Sequence, residues 1–331
     1  MRCGAQLPAG ITADSCPKCL LGAAMSTVEM ELQTRSAESV PGSHESELPA
    51  GQVFGHYRII RLLGRGGMGA AYEAEDLDNS RRVALKILSH KLDSPESRQR
   101  FFREGRLAAS VNHPNSVYIF GTEEIGGTPV IAMELLSGGT LHSRVLQRGP
   151  MPHVEAVDAV LQILDGLEAA QNAGILHRDV KPSNCFVDVN GTVKIGDFGL
   201  SISTAVRTEP ALTADGSFLG TPAFCPPEQI RGEELNSQSD IYSVGATLFY
   251  LLTGRTPFEA HNTVALIATV LEKPSPSPRE LRRSIPEGLS RVIQRCMHKV
   301  RGERFRNYAE LRHALEQYSS AAPVPAGLGI R

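Results

Sequence analysis

Apolar and polar positions along this chain change their period near the middle. Tyr57 to Leu63 is rich in β-forming residues and runs into a glycine cluster, Ala70 to Glu75 returns beyond it, and Arg82 to Leu88 follows. Short runs of this kind, bounded by glycine and polar turns, predict strands, and Val130 to Leu136 adds another. Pro95 to Val111 starts as a helix should, with Ser94 able to cap it and Pro95 suited to its first position. Phe101, Leu107, Ala108 and Val111 outline its buried face. Ser137-Gly138-Gly139 predicts a flexible joint, after which the pattern turns helical. Val154 to Asn172 is amphipathic and stops at Ala173-Gly174. Ile241 to Leu252 is the most apolar stretch, interrupted by Ser243 and Gly245, and reads as a buried core helix. Val264 to Leu271, Leu289 to Met297 and Tyr308 to Tyr318 complete a helical region. Strands first and helices afterwards predict an α+β fold.

One stretch breaks the helical run. His177 to Gly199 is a polar loop followed by β-formers around Asn190-Gly191, the strongest short hairpin signal. A two-residue turn there pairs Val189 with Thr192 and, further out, sets Asn184 opposite Asp197. Directly opposite residues lie about 4.5–5.5 Å apart. A carboxamide oxygen beside a carboxylate, with Asp179 on the preceding loop, suits Mg²⁺, which shares its remaining positions with phosphates and water.

Composition narrows the class. The 331 residues carry 34 bases and 36 acids, so no global charge argues for nucleic acid or an anionic membrane. No apolar run approaches the ~18 residues that a spanning helix needs, and no basic-then-apolar leader opens the chain. A soluble cytoplasmic protein is expected, whose six cysteines act as thiols or metal ligands. Residues 1–24 stand apart through Cys3, Cys16 and Cys19, residues 25–53 read as a disordered linker rich in Ser, Glu and Pro, and residues 319–331 as a disordered tail.

Gly64, Gly66 and Gly69 let backbone N–H groups approach phosphate oxygens with no Cβ in the way. A dinucleotide fold would open a helix directly after such glycines, and here a strand follows instead. Lys86 sits mid-strand among apolar residues, where an unpaired ammonium is costly. Glu104, on the helix that follows, is the expected partner. Gly105 beside it weakens that helix by about 1 kcal/mol relative to Ala, which predicts a movable element.

Together His177-Arg-Asp-Val-Lys-Pro-Ser-Asn184, Asp197-Phe-Gly199, Gly64-Arg-Gly-Gly-Met-Gly69 and Val83-Ala-Leu-Lys86 resemble the protein kinase family. The resemblance covers residues 54–318 and is similar to bacterial serine/threonine kinases. It implies a two-lobed fold, a β-rich lobe with one regulatory helix (54–136) and a helical lobe (140–318). It assigns Asp179 and Lys181 to catalysis, Lys86 and Glu104 to an ion pair, and Asn184 and Asp197 to Mg²⁺. ATP would lie against Leu63, Gly64, Arg65, Gly66, Gly67, Met68, Gly69, Ala71, Ala84, Lys86, Glu134, Leu136 and Phe186, with Met133 behind the adenine. Ala71 stands where Val is usual and Phe186 where Leu is common, a smaller roof offset by a larger floor. Lys181 and Thr221 point to serine and threonine acceptors. Asp240 and Gly245 resemble a buried helix beneath the catalytic loop, and Glu228 is expected to pair with Arg304 although Pro226 replaces the usual Ala.

Leu200 to Thr221 is long and threonine-rich, and Arg178 beside Asp179 suits a phosphate arriving on it. Thr208, Thr213 and Ser217 are the candidate phosphosites. The N-terminal cysteines resemble part of a zinc ribbon ahead of some bacterial kinase domains. A tetrahedral site takes four ligands and three are present. Either the start lies upstream, or the module has lost its metal, or the three are free thiols. The partners implied are proteins with Ser or Thr acceptors, with a second copy of the chain as a candidate for autophosphorylation. A pseudokinase scaffold is the alternative, separated from an enzyme by phosphate transfer to a generic protein. A glycosidase-type pair, Asp179 with Asp197, leaves the glycine cluster and Lys86 without a task.

Overall fold

The structure, a computed structural model, describes residues 47–66, 69–89, 92, 94–198 and 222–320. The zinc-ribbon-like segment, the linker up to residue 46, Gly67, Met68, residues 199–221 and the tail from residue 321 lie outside the described residues.

Six strands form one antiparallel sheet: β1 (Val53–Phe54), β2 (Tyr57–Gly66), β3 (Gly69–Asp76), β4 (Arg81–Leu88), β5 (Ile119–Ile125) and β6 (Thr128–Glu134), in the order β1-β2-β3-β4-β6-β5. The sheet buries both faces. On one, Tyr57, Ile59, Tyr72, Ala74, Val83, Leu85, Val130 and Ala132 pack together. On the other, Leu88, Ile119, Ile131 and Met133 meet Phe101 and Ala108 of α1 (Pro95–Ser110). The start of α1 is as expected, with the Ser94 hydroxyl accepting from Ser97 N–H at 3.1 Å and Pro95 in the first turn. Its buried face is Phe101, Gly105 and Ala108, whereas Leu107 is 41% exposed. The spacings of four and three residues keep the buried three on one stripe, and Leu107 falls about 100° from its neighbour Ala108.

Gly105 has a packing reason. A Cβ there would fall inside the van der Waals envelope of Thr122 on β5, so its absence lets α1 approach the sheet at that point. The expectation that Gly105 chiefly loosens the helix gives way to close approach.

Past residue 136 the chain is mostly helical: α2 (Leu141–Arg148), α3 (His153–Asn172), α4 (Pro227–Ile230), α5 (Ser237–Thr253), α6 (Thr263–Glu272), α7 (Pro278–Leu281), α8 (Glu287–Cys296) and α9 (Tyr308–Glu316). α5 is buried from Ser239 to Leu252 and is the axis of this lobe, capped by Asn236 and ended by Gly254 in the left-handed region. A Cβ on Gly245 would lie 2.5 Å from Cys296 Cβ, so the glycine admits α8 against α5.

The hairpin β7 (Cys185–Val187) with β8 (Val193–Ile195) departs from the predicted register. Cys185 pairs with Ile195, Phe186 with Lys194 and Val187 with Val193. Asp188 closes the ladder against Thr192, its N–H donating to Thr192 O at 3.0 Å, so the loop holds three residues rather than two. The Asp188 carboxylate causes this by accepting from Asn190 N–H and Thr192 N–H, each at 2.8 Å. Gly191, at φ +85°, takes the left-handed position that a three-residue loop requires. The whole ladder slides by one, and Asn184 faces Gly196, whose N–H donates to Asn184 O at 3.0 Å, and not Asp197.

The joint between the lobes is also firmer than its glycines suggested. Gly138 N–H donates to Val187 O and Val187 N–H to Gly139 O, at 3.1 and 2.9 Å. A Cβ on Gly138 would sit 2.5 Å from Val187 O, so this glycine serves close backbone approach.

Candidate functional site: a catalytic loop tied to a metal-ligand strand

Asp240, on the first turn of α5 and fully buried, holds the loop before β7 from below. Its carboxylate accepts from His177 N–H at 3.0 Å, Arg178 N–H at 2.8 Å and the Tyr308 hydroxyl at 3.0 Å. Burial raises the Asp240 carboxyl above its ordinary range, while His177 and these hydrogen bonds oppose the rise. The loop's shape is demanding: Arg178 has φ +69° and its carbonyl accepts from Gln229 Nε2 at 2.9 Å.

The His177 side chain is a strut that the sequence had not assigned. Its Nδ1 accepts from Asp179 N–H at 3.2 Å, which leaves the proton on Nε2 to donate to Gly196 O at 2.8 Å. One ring therefore joins the loop bearing Asp179 to the strand end bearing Asp197. Asp197 itself has φ +63°, a turn that swings its carboxylate away from the ladder.

Asp179 is engaged from two sides. Its Oδ2 accepts from Lys181 Nζ at 2.8 Å and from Asn184 Nδ2 at 3.0 Å, and Asn184 Nδ2 reaches Asp179 O at 2.9 Å. Asn184, 5% exposed, has its amide nitrogen committed in this way, which leaves Oδ1 as the oxygen it can offer a cation. The expected juxtaposition of Asn184 with Asp197 across the ladder is thus replaced by a chain, Asp179–Asn184–Gly196–Asp197.

Lys86 pairs with Asp197 Oδ1 at 2.9 Å. This corrects the expected partner, Glu104, which stands on the flank of α1 with Arg103 Nη2 at 3.9 Å. The turn at Asp197 brings a carboxylate to the ammonium, and that one anion meets the need that a mid-strand lysine creates. Ala71 lies directly across the ladder from Lys86.

The glycine cluster splits into two roles. Gly69 is at φ +136° and a Cβ there would collide with Ile87 O, so its reason is backbone packing. Ideal Cβ positions at Gly64 and Gly66 meet nothing within 4 Å, leaving room for a phosphate to approach the backbone. Leu63 and Arg65 are exposed on the same strand. Ala84, Leu136 and Phe186 pack against the cluster containing Met133, forming an apolar shelf beside the joint. Met133, Val117, Ile119, Ile131 and Phe198 line a small cavity that opens onto Lys86 and Asp197.

Glu228 and Arg304 form a buried two-pronged ion pair, with N–O distances of 2.7 and 2.8 Å. Arg304 also donates to His298 O and Gln238 O, each at 2.8 Å. Burial pushes the Glu228 carboxyl up, but the Arg304 hydrogen bonds and charge outweigh it and hold it below the usual range. Cys225 is buried and burial raises its thiol, as befits a residue filling an apolar slot. Thr208, Thr213, Ser217, Cys3, Cys16 and Cys19 lie outside the described residues.

Residues 57–316 match the protein kinase domain family. The chain belongs to the protein kinase family. Among curated kinases it is 38% identical over 263 residues to the serine/threonine-protein kinase PknD of Mycobacterium tuberculosis, covering 79% of this chain and 39% of PknD. It is 36% identical over 249 residues to PrkC of Bacillus subtilis, covering 75% of this chain and 38% of PrkC. The chain thus spans less than half the length of these relatives. The Mycobacterium tuberculosis PknI kinase domain superposes with a TM-score of 0.66 at 24% identity, over 82% of this chain and 99% of that one. Rad53 in complex with AMP-PNP gives 0.66 at 26% identity, over 78% and 64%. The fold is the two-lobed kinase fold, with its β-rich part before the Ser137–Gly139 joint and its helical part after it. Among the described residues no helix is long and apolar enough to cross a membrane.

Proposed function

We propose that this kinase domain transfers the γ-phosphoryl group of ATP to serine and threonine hydroxyls of proteins. The observation that carries the reading is the linked set Asp179–Asn184–Gly196–Asp197–Lys86, in which a base and two oxygen donors hang from one hairpin and its anchoring loop and a cation on β4 pairs with the far end. The donor set suits a hard divalent ion: Asn184 Oδ1 and the Asp197 carboxylate are the oxygens that would hold Mg²⁺. When bound, that ion neutralises phosphate charge. Lys86 adds a fixed positive charge on the same side, and the open backbone at Gly64 and Gly66 can cover the phosphates. Met133, Ala84, Leu136 and Phe186 provide the apolar shelf for the base, with Ala71 above, and the backbone of Glu134 and Leu136 provides its hydrogen bonds.

In the transfer, the acceptor oxygen forms a bond to the γ-phosphorus as the bond to the bridging oxygen breaks and ADP leaves. Asp179 orients the hydroxyl and receives its proton. Lys181, 2.8 Å from Asp179 Oδ2, orients that carboxylate and stands where the acceptor arrives. The lysine favours serine and threonine over tyrosine acceptors, by the family resemblance.

Radiolabelled phosphate transfer to a generic protein with Mg²⁺ tests the reading. Asp179→Asn is expected to lower the rate ~10²–10⁴-fold, and a wild type without transfer, or an Asp179→Asn variant with full activity, would overturn it. Phosphorylation at Thr208, Thr213 or Ser217 is the proposed activating event, and full activity with all three changed to alanine would remove it. Zinc at Cys3, Cys16 and Cys19 rests on sequence spacing alone, and metal analysis of protein expressed from an upstream start reads it directly.

A further inference from the structure

A half-buried ion pair ties the two ends of the proposed nucleotide site together. Lys194, in the middle of β8, stands three positions before Asp197. Its Nζ donates to both oxygens of Glu134, at 2.8 and 3.1 Å. Glu134 ends β6 and begins the joint between the lobes. Its Oε1 also accepts from Tyr118 N–H at 2.7 Å, while Glu134 N–H donates to Tyr118 O at 2.9 Å. The side chains are 16% and 23% exposed, so water screens this pair less than an ordinary surface bridge.

The surroundings make the pair a three-way junction. Val117 N–H donates to Ile195 O and Ile195 N–H to Asn115 O, both at 2.9 Å, joining β8 to the segment entering β5. One carboxylate therefore fastens that segment, the last residue of β6 and β8 at a single point. β6 leads into the joint that would address the base. β8 leads, through Gly196, to the Asp197 carboxylate that pairs with Lys86.

We infer that Lys194 is a positioning residue for the nucleotide: through Glu134 it fixes the distance between the base-binding joint and the metal-ligand Asp197. Lys194 need not touch ATP to do this. Removing it leaves Glu134 with a single backbone N–H and frees the joint to shift against β8. The base and the phosphates then cannot both be held in their best positions, so nucleotide affinity falls while the machinery around Asp179 stays in place. The inference rests on the kinase reading above.

The test is a titration with a fluorescent ATP analogue and Mg²⁺, run beside steady-state transfer, on the full chain and its variants. Lys194→Met should weaken analogue binding and raise the KM for ATP ~10-fold, a coupling of ordinary size, with the KM for the protein acceptor unchanged. Lys194→Arg should recover most of the loss. Glu134→Gln should reproduce it, and the double variant should be no worse than either single one. Unchanged binding in Lys194→Met overturns the inference, as does a loss in which both KM values rise and kcat and thermal stability fall together without rescue by arginine. Failure of the kinase reading itself is distinct: the wild type would then bind the analogue and transfer nothing, or bind nothing at all, the latter refuting both.

Discussion

The residues that matter most are held by partners far away in sequence, and several carry their own tests. Lys299 places its ammonium 4.2 Å from the Phe258 ring centroid and donates to Val270 O at 2.5 Å, at the last turn of α6. Burial, then the charges of Arg304 and Arg231, lower its pKa to about 8. An unfolded lysine titrates near ~10.4, so between these values the unfolded chain binds the extra proton and stability rises with pH. Below about 8 the full penalty is present. Lys299→Met should abolish this rise, read as thermal midpoints between pH 7 and 10, and a parallel profile in wild type and variant would contradict the assignment. Glu228 behaves oppositely: its depressed pKa contributes stability that is present above the unfolded value and lost as pH falls through the folded one. Arg304→Met should cost ~3–5 kcal/mol in denaturant melts because it strands a buried carboxylate. Arg304→Met with Glu228→Met should recover part of that, and no recovery would mean that the arginine's bonds to His298 O and Gln238 O dominate. The need of Glu228 for Arg304 was legible from their motifs, whereas the His177 strut was not, because its partner is a main-chain carbonyl that any residue could supply.

At the scale of elements, one glycine and one aspartate decide geometry that patterning alone left open. Gly105→Ala raises helix propensity yet drives a Cβ into Thr122. Overpacking of this kind typically costs ~1–3 kcal/mol, so a net loss of stability is expected, relieved in part when Thr122→Ala removes both the hydroxyl and the methyl that crowd the site. An unchanged melting curve for Gly105→Ala would show that α1 moves aside freely. The hairpin illustrates why register escaped a reading of turn residues. Asn190-Gly191 correctly located a turn, but Asp188 accepts from two N–H groups and closes a loop one residue longer. A side-chain hydrogen bond outweighed a local turn preference, and a one-residue slip changed which group opposes Asn184. Strand and helix order survived because period and caps are local signals. β1, β5, α2, α4 and α7 were not assigned, being short or only weakly periodic.

For the whole molecule, the sheet and the helical lobe were legible from the shift in period at Ser137-Gly138-Gly139, and the kinase resemblance from four motifs that lie far apart in the chain. What sequence could not supply was the wiring between them: Lys86 to Asp197 in place of Glu104, and Lys194 to Glu134 across the joint. Such pairs depend on where a left-handed turn or a strand end points, which spacing does not encode. On the proposed reading, Asn184 and Asp197 together hold a divalent ion against a nucleotide phosphate. Electron paramagnetic resonance of Mn²⁺ titrated into the protein with a nonhydrolysable ATP analogue reads this directly. Bound Mn²⁺ that requires the nucleotide and is lost in Asp197→Asn is the predicted result, and Mn²⁺ binding that is absent, or unaltered by that substitution, would contradict it.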